Sequence, residues 1–250
     1  MKIKTTSVLA ILALASFPLQ SLAAISLGTA VDFSVLAGST ATNTGASFID
    51  GGNVGVSPGT SLTGFLPGVI QAPFTTHSAD ATAAQAQADL TLAFNAAAAL
   101  PMTQDLTGVN LGGLVLLPGV YKFSSSAQLT GALVLNANSD PNAQFVFQIG
   151  STLTTAAGAS VVVINNVATQ PCIVFWQVGS SATLGAGNEF QGHIMALASI
   201  TVGAGTAIVS GSALASTGAV TLDVDHITGC SASVVPVKAS TWSAVKTYYR

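Results

Sequence analysis

A threonine flanked by apolar residues recurs along the C-terminal half of the chain. The clearest segments are Ala182-Thr183-Leu184, Ile200-Thr201-Val202 and Val220-Thr221-Leu222, with steps of 18 and 20 residues between successive threonines. Leu129-Thr130-Gly131 and Leu153-Thr154-Thr155 fit the same register less regularly. Repeats of about this length are typical of solenoids, in which each coil stacks on its neighbours and buries a continuous core.

Side chains of a strand alternate between its two faces, so the residues beside each threonine are predicted to point inward. Ile200, Val202, Val220 and Leu222 are then core residues. The predicted outward ladder consists of Thr130, Thr154, Thr183, Thr201 and Thr221, and a second rank two residues earlier consists of Gln128, Thr152, Ser181, Ser199 and Ala219. Threonine is also favoured on ordinary strand surfaces, so the ladder alone does not define a function.

One segment has a helical period. From Ser78 to Leu100 the chain contains neither glycine nor proline, and Pro101 follows. We therefore predict one helix at about 79–99, capped by Ser78 or Asp80. Its stripe of mostly small residues should pack along the outside of the β-body, and consists of Ala83, Ala86, Leu90, Phe94 and Ala97.

Charged residues make up only 6% of the chain, and Lys122 is the one Lys or Arg outside the two ends. Nucleic acids and anionic membranes are bound by clustered basic residues, so neither is an expected partner. The nine acidic residues are scattered, which disfavours an enzyme with converging carboxylates, and no catalytic residue or cofactor is predicted. Asp223, Asp225 and His226 could ligate a metal, but such residues at one turn are more often solvated turn formers, so no metal site is predicted.

The N-terminus has the order of a secretory signal. Lys2 and Lys4 precede an apolar run from Val8 to Phe17, and small residues follow it, with cleavage expected after Ala23 or Ala24. We therefore predict a signal peptide at 1–23 and a secreted, soluble, monomeric protein without a membrane span. Export allows a disulfide, so Cys172 and Cys230 form either one bridge or two buried thiols.

Several segments, in order and spacing, resemble the microbial ice-binding proteins, and the similarity runs from about Leu27 to about Cys230. The N-terminal ones are Leu27-Gly28-Thr29-Ala30, Val54-Gly55-Val56-Ser57-Pro58-Gly59, Leu62-Thr63-Gly64-Phe65 and Ala84-Gln85-Ala86-Gln87-Ala88-Asp89-Leu90. The later ones are Leu117-Pro118-Gly119-Val120-Tyr121, the run from Phe145 to Thr155 and the run from Val174 to Gly185.

The resemblance implies a mainly β fold: a discontinuous, right-handed β-helix of triangular cross-section, with a single long α-helix packed along one side. It also implies that one flat face binds ice or ordered water. Carried over by position, that face contains both ranks named above together with Thr40, Thr42 and Thr44, and Ala219 stands where a hydroxyl is expected. A Thr-x-Thr pattern fits well only at Thr152 and Thr154.

Two other classes remain as alternatives, a secreted β-helical adhesin or surface-structural protein and a polysaccharide-acting enzyme. The domain prediction is a single ice-binding unit over 24–233, followed by a tail over 234–250. Trp242, Val245 and Tyr249 could share one face of a short helix in this tail. The sequence leaves open whether the tail docks on the solenoid, contacts a partner or is disordered.

Overall fold

The computed structural model describes residues 24–167 and 172–230, so the predicted signal peptide and the predicted tail lie outside the described residues. The described part contains a 3-10 helix (Gly28–Asp32), one α-helix, α1 (Ala81–Ala99), and 22 strands. The strands are β1 (Phe33–Ala37), β2 (Thr40–Thr44), β3 (Phe48–Asp50), β4 (Asn53–Val56), β5 (Ser61–Thr63), β6 (Val69–Ile70), β7 (Thr76–Ser78), β8 (Gln104–Asp105), β9 (Val115–Leu116), β10 (Gly119–Phe123), β11 (Ala127–Leu129), β12 (Ala132–Asn136), β13 (Phe145–Ile149), β14 (Leu153–Thr155), β15 (Ser160–Ile164), β16 (Val174–Val178), β17 (Ala182–Leu184), β18 (Glu189–Ala196), β19 (Ile200–Val202), β20 (Ala207–Ala215), β21 (Val220–Asp223) and β22 (His226–Thr228).

The strands form stacked coils. One coil consists of three strands in succession, such as β13, β14 and β15, and each strand pairs in parallel with its equivalent in the next coil. β18 and β20 each serve two successive coils, because they turn a corner near Gly192 and Gly211. The prediction of a mainly β fold with one helix is confirmed.

The order of coils in space differs from their order in sequence. One sheet has the order β11-β14-β17-β19-β21-β2-β5, so the N-terminal strand β2 stacks directly beyond the C-terminal strand β21. β7 and β8 lie at opposite ends of the stack, and α1 connects them. At 1.5 Å per residue the 19 residues of α1 span about 28 Å, or about six strand spacings, so the helix returns the chain along the stack.

The interior is apolar and tightly stacked. Ile200, Val202, Val220 and Leu222 are all buried, as the alternation predicted. Three successive coils stack the rings of Tyr121, Phe147 and Trp176, with centroid distances of 5.5 Å and 3.9 Å. Because the coils are in register, like side chains meet along the axis of the stack and fill the core layer by layer.

α1 packs against the outer side of one wall of coils. Its N-terminus is capped by Asp80, whose Oδ1 accepts a hydrogen bond of 2.8 Å from the Ala83 N–H. The buried stripe is Ala83, Ala86, Leu90, Ala93 and Ala97, which pack against Val120, Val146, Phe175, Met195 and Leu214. The prediction of Phe94 on this stripe is wrong in part: Phe94 is half-buried, and Ala93, three residues after Leu90, takes the central position.

Carbonyl groups at the C-terminal end of α1 accept hydrogen bonds from the wall of coils. The Gln148 side-chain amide donates to the carbonyl oxygens of Ala97 and Leu100, each at 2.8 Å. The Ala97 carbonyl also accepts the Leu100 N–H at 3.4 Å, so Gln148 adds a shorter bond at this end of the helix, where carbonyls lack the usual partner four residues on. Within the described residues, no helix is long and apolar enough to span a membrane.

A single cross-link ties the end of the last C-terminal coil to an earlier one. Cys172 and Cys230 form a disulfide with a Cα–Cα distance of 5.9 Å, so of the two alternatives the structure contains the bridge. Cys230 follows β22, and Cys172 precedes β16 two coils away along the stack.

We predict that Leu90→Ala lowers the free energy of unfolding by about 2–5 kcal/mol, because it leaves a cavity between α1 and the wall. Leu92→Ala is the matched control, since Leu92 is 67% exposed and its truncation should cost less than about 0.5 kcal/mol. Urea unfolding of both variants measures the difference. Equal effects would show that the helix interface contributes little to stability.

Candidate functional site

The seven-stranded sheet presents one continuous outward ladder. The register pairs Thr154 with Thr183, Thr183 with Thr201, and Thr201 with Thr221. It then pairs Thr221 with Thr42 and Thr42 with Thr63. Six threonines from neighbouring strands therefore stand side by side, although the chain between Thr63 and Thr154 passes through α1 and two other coils.

A second rank of short side chains runs beside this ladder, two residues before it in each coil. Its members are Ser126, Thr152, Ser181, Ser199, Ala219, Thr40 and Ser61. Several of their hydroxyls bond along the rank: Thr152 Oγ1 donates to Ser126 Oγ at 2.8 Å, and Ser199 Oγ accepts from the Ala219 N–H at 3.2 Å. Ala219 is the one member here without a polar side chain.

The predicted register is wrong at one coil. Gln128, predicted in the second rank, pairs with Thr154 and so belongs to the threonine ladder. Thr130, predicted in the ladder, lies two residues beyond it and is hydrogen-bonded to Asn110. Gly131, which follows Thr130, has a φ of +87°, so the strand ends there and Thr130 lies at its turn. The ladder position belongs to the residue with apolar neighbours on both sides.

Three residues of the two ranks were not predicted from the sequence. Thr63 and Ser61 extend the ladder and the second rank onto β5, and Ser126 extends the second rank at the other end. Thr63 Oγ1 lies 3.5 Å from Thr42 Oγ1. The available signal was Ser61-Leu62-Thr63, which repeats the outward-inward-outward alternation of Thr40-Ala41-Thr42 one coil later.

The surface is regular and almost free of charge. The seven-stranded sheet pairs without a register shift, whereas the other sheet has shifts near Phe33 and near Gln191. Neither the ladder nor the second rank contains a charged residue. Thr44, the third of the N-terminal candidates, lies at the margin beside Asp223. The ladder residues thus follow one another in an unbroken register from Thr154 to Thr63.

A buried column of polar side chains supports the corner behind this face. Asn188, Thr206, Asp225 and Ser47 occupy equivalent positions in successive coils, each one residue before a paired strand residue. Asp225 accepts hydrogen bonds from the N–H groups of Thr206 and Asp223, and its own N–H donates to Ser47 Oγ. These bonds join the last C-terminal coil to the first N-terminal coil. Asp225 therefore holds a turn, as expected, but it is buried there, whereas the sequence interpretation expected a solvated residue.

His77 and His193 each have a side-chain partner. His77 Nδ1 lies 2.7 Å from Asp80 Oδ2, beside the start of α1. His193 is buried, with its Nδ1 2.7 Å from Ser212 Oγ and its ring stacked on Phe175. His193 also lies close to Cys172 and Cys230, but these two sulfur atoms are bonded to each other.

Burial shifts the pKa values of Asp225 and His193 in opposite directions. Burial raises the pKa of Asp225 from 3.8 to about 6, against the hydrogen bonds from Asp223 and Thr206. Burial lowers the pKa of His193 from 6.5 to about 4. Folding therefore favours a protonated Asp225, so this stabilisation is lost as pH rises through 6. It also favours a neutral His193, so that stabilisation is lost as pH falls from 6.5 through 4.

We predict that the two effects largely cancel in the wild-type protein between pH 4 and pH 6.5 and separate in single variants. In Asp225→Asn the free energy of unfolding should rise with pH over this range, because Asp225 no longer opposes the effect of His193. In His193→Gln it should fall. Urea unfolding at several pH values measures the slopes, and slopes of the same sign in both variants would contradict the assignment.

The fold and the site together define a class: a stack of parallel-strand coils that presents an extended, uncharged hydroxyl surface and not a pocket. A family model described as ice-binding-like matches residues 35–228. The chain belongs to this ice-binding-like family, which confirms the resemblance noted in the sequence.

Individual relatives agree with this assignment. The ice-binding protein of Nostoc sp. (strain HG1) is 54% identical over 226 residues, which cover 90% of this chain and 82% of the relative. The solved ice-binding protein of the ascomycete Antarctomyces psychrotrophicus matches with a TM-score of 0.77 and 40% identity, over 82% of this chain and 98% of that one. An ice-binding protein from an Antarctic biological consortium gives a TM-score of 0.76 and 44% identity, over 82% and 90%.

Proposed function

We propose that the chain binds ice through the threonine ladder and its second rank, and so inhibits ice growth and recrystallisation and produces thermal hysteresis. The observation that carries this proposal is the run of six in-register threonines from Thr154 to Thr63. The family description and the names of the relatives point to a binding protein and not to an enzyme.

The spacing of the ladder follows from the backbone. Parallel strands lie about 4.8 Å apart, and alternate residues of an extended chain lie about 6.6 Å apart, so the two ranks form a two-dimensional array of hydroxyls and methyls. The absence of register shifts in this sheet keeps the array periodic over its whole length. A crystal surface is also periodic in two dimensions, and an array of comparable spacing can contact it at many points at once.

The chemistry of threonine suits this task. Its branched Cβ restricts χ1, so little side-chain entropy is lost when water orders against the surface. The methyl and hydroxyl together contact water without the strong, mobile hydration of an ammonium or carboxylate. Thr183 and Thr201 are exposed at the centre of the ladder, and no charged side chain stands in either rank.

Many weak contacts on one rigid face explain tight attachment. Each hydroxyl contributes little, but all of them belong to one body, so the first contact makes the others effectively intramolecular. Release would require all contacts to break together. An ice front that grows between attached molecules becomes curved, and the curvature opposes further growth.

Finer features of the fold belong to the same proposal. We infer that the coils wind as a right-handed β-helix of triangular cross-section, because each coil has three strands and parallel connections are right-handed in nearly all proteins. The disulfide and the signal-like N-terminus support secretion. We also propose that the protein acts as a monomer, since one chain supplies the whole array.

We predict that Thr201→Tyr abolishes thermal hysteresis and recrystallisation inhibition, because the ring protrudes from the middle of the ladder and holds its neighbours away from a flat surface. Thr91→Tyr makes the same change on the exposed side of α1 and should leave both activities intact. Melting followed by circular dichroism checks that both variants fold. Full activity in a folded Thr201→Tyr protein would remove this face as the ice-binding site.

A second prediction tests the discontinuous assembly of the site. Thr63→Tyr should also reduce thermal hysteresis strongly, because Thr63 ends the same ladder next to Thr42. Thr107→Tyr, an exposed threonine outside the two ranks, is its control. If Thr63→Tyr had no effect while Thr201→Tyr abolished activity, the ice-binding surface would be confined to the C-terminal coils.

A further inference from the structure

One side of the coils is covered neither by α1 nor by the hydroxyl ranks. This third side is formed by β9, β12, β15, the first parts of β18 and β20, β22, β3 and β6. It leaves several large apolar side chains exposed, namely Phe48, Val69, Val115, Val162, Ile164 and Val209. Exposed apolar groups gathered on one side of a soluble domain are typical of a contact surface.

A groove opens in the middle of this third side. β15 and β18 pair only at Ser160 and Glu189 and then separate, and the Val163 N–H donates instead to the Gln191 side chain at 2.8 Å. The gap has a volume of about 320 Å³. Its lining is mainly apolar with one carboxylate, and consists of Val161, Val162, Val163, Ala207, Val209, Gln191 and Glu189.

The described part of the chain ends beside this groove, at Cys230. β22 pairs with the first part of β20, with Thr228 opposite Val209, and Cys230 follows two residues later. The disulfide then holds Cys230 next to Cys172, two residues before Val174. A Cβ on Gly192, the neighbour of Gln191, would touch Val174. The C-terminal segment thus starts within one or two coils of the groove, and residues 231–241 can span up to about 38 Å.

The composition of this segment complements the groove. Residues 231–250 contain three basic residues and no acidic one, whereas residues 24–230 contain all nine acidic residues and only Lys122 as a base. Trp242, Val245 and Tyr249 recur at helical steps, and Lys246 and Arg250 lie next to them in the sequence. An apolar face with adjacent positive charge is what a groove of valines with one glutamate would accept.

We propose that the C-terminal segment of this chain docks on the third side, with Trp242, Val245 and Tyr249 over the valine groove and Lys246 or Arg250 near Glu189. Docking there covers apolar surface that the coils leave exposed. It leaves the threonine ladder free, so this proposal does not depend on ice binding.

Fluorescence quenching by acrylamide tests the docking in the full-length protein. The chain has two tryptophans, and Trp176 is fully buried in the core, so accessible emission reports Trp242. The wild-type protein should be quenched nearly as weakly as Trp242→Phe, which retains only Trp176. The double variant Val162→Asn, Val209→Asn should be quenched several-fold more strongly. Both valines are already about 40% exposed, at 40% and 38%, so folding should tolerate the change.

Three further variants distinguish a specific site from nonspecific apolar contact. Val115→Asn changes a 64% exposed valine on the same side outside the groove lining and should leave quenching at the wild-type level. Glu189→Lys should increase quenching, and Glu189→Gln should increase it less. Strong quenching of the wild-type protein, or quenching that groove variants do not change, would overturn the proposal. Concentration-dependent protection of Trp242 would also overturn it, in favour of contact with a second copy.

Discussion

Backbone hydrogen bonds between parallel strands in successive coils hold those strands about 4.8 Å apart and fix their register. Each inward position then stacks on its equivalent, as Tyr121, Phe147 and Trp176 do, and each outward position forms a row. The same register therefore produces both the stacked core and the rows of outward hydroxyls. A slip of one residue in any coil would exchange them, because alternate side chains point to opposite faces.

Other interactions hold together neighbouring coils that are not consecutive in the sequence. The coil of β2 follows that of β21 in space without a short connection, and Asp225 and Ser47 bond across this junction inside the corner. α1 spans the stack from outside and buries a stripe of mostly small residues against apolar side chains of the coil wall. The disulfide fastens the end of the last C-terminal coil to the coil of β16. These contacts make a rigid body from a discontinuous path, and rigidity is what a periodic binding surface requires.

The two sides of the coils that α1 does not cover differ in chemistry. The side with the threonine ladder combines short uncharged side chains with an unbroken register. The third side carries bulkier apolar groups, a carboxylate and a groove where β15 and β18 separate. A periodic surface suits a crystalline partner, and an irregular apolar groove suits a flexible polypeptide segment. The two surfaces lie on different sides of the same coils.

Local patterns in the sequence were sufficient to predict the helix, whose ends lie within two residues of the expected ones. They were also sufficient to predict which residues around Thr183, Thr201 and Thr221 point inward and which point outward. Such features depend on alternation, helical period and capping, all of which act over a few residues. The register of Gln128 and Thr130 and the place of Thr63 were decided by tertiary structure. Loops of unequal length separate the coils, so counting residues cannot align them. Only the backbone pairing between coils brings Thr221 next to Thr42 and completes the ladder.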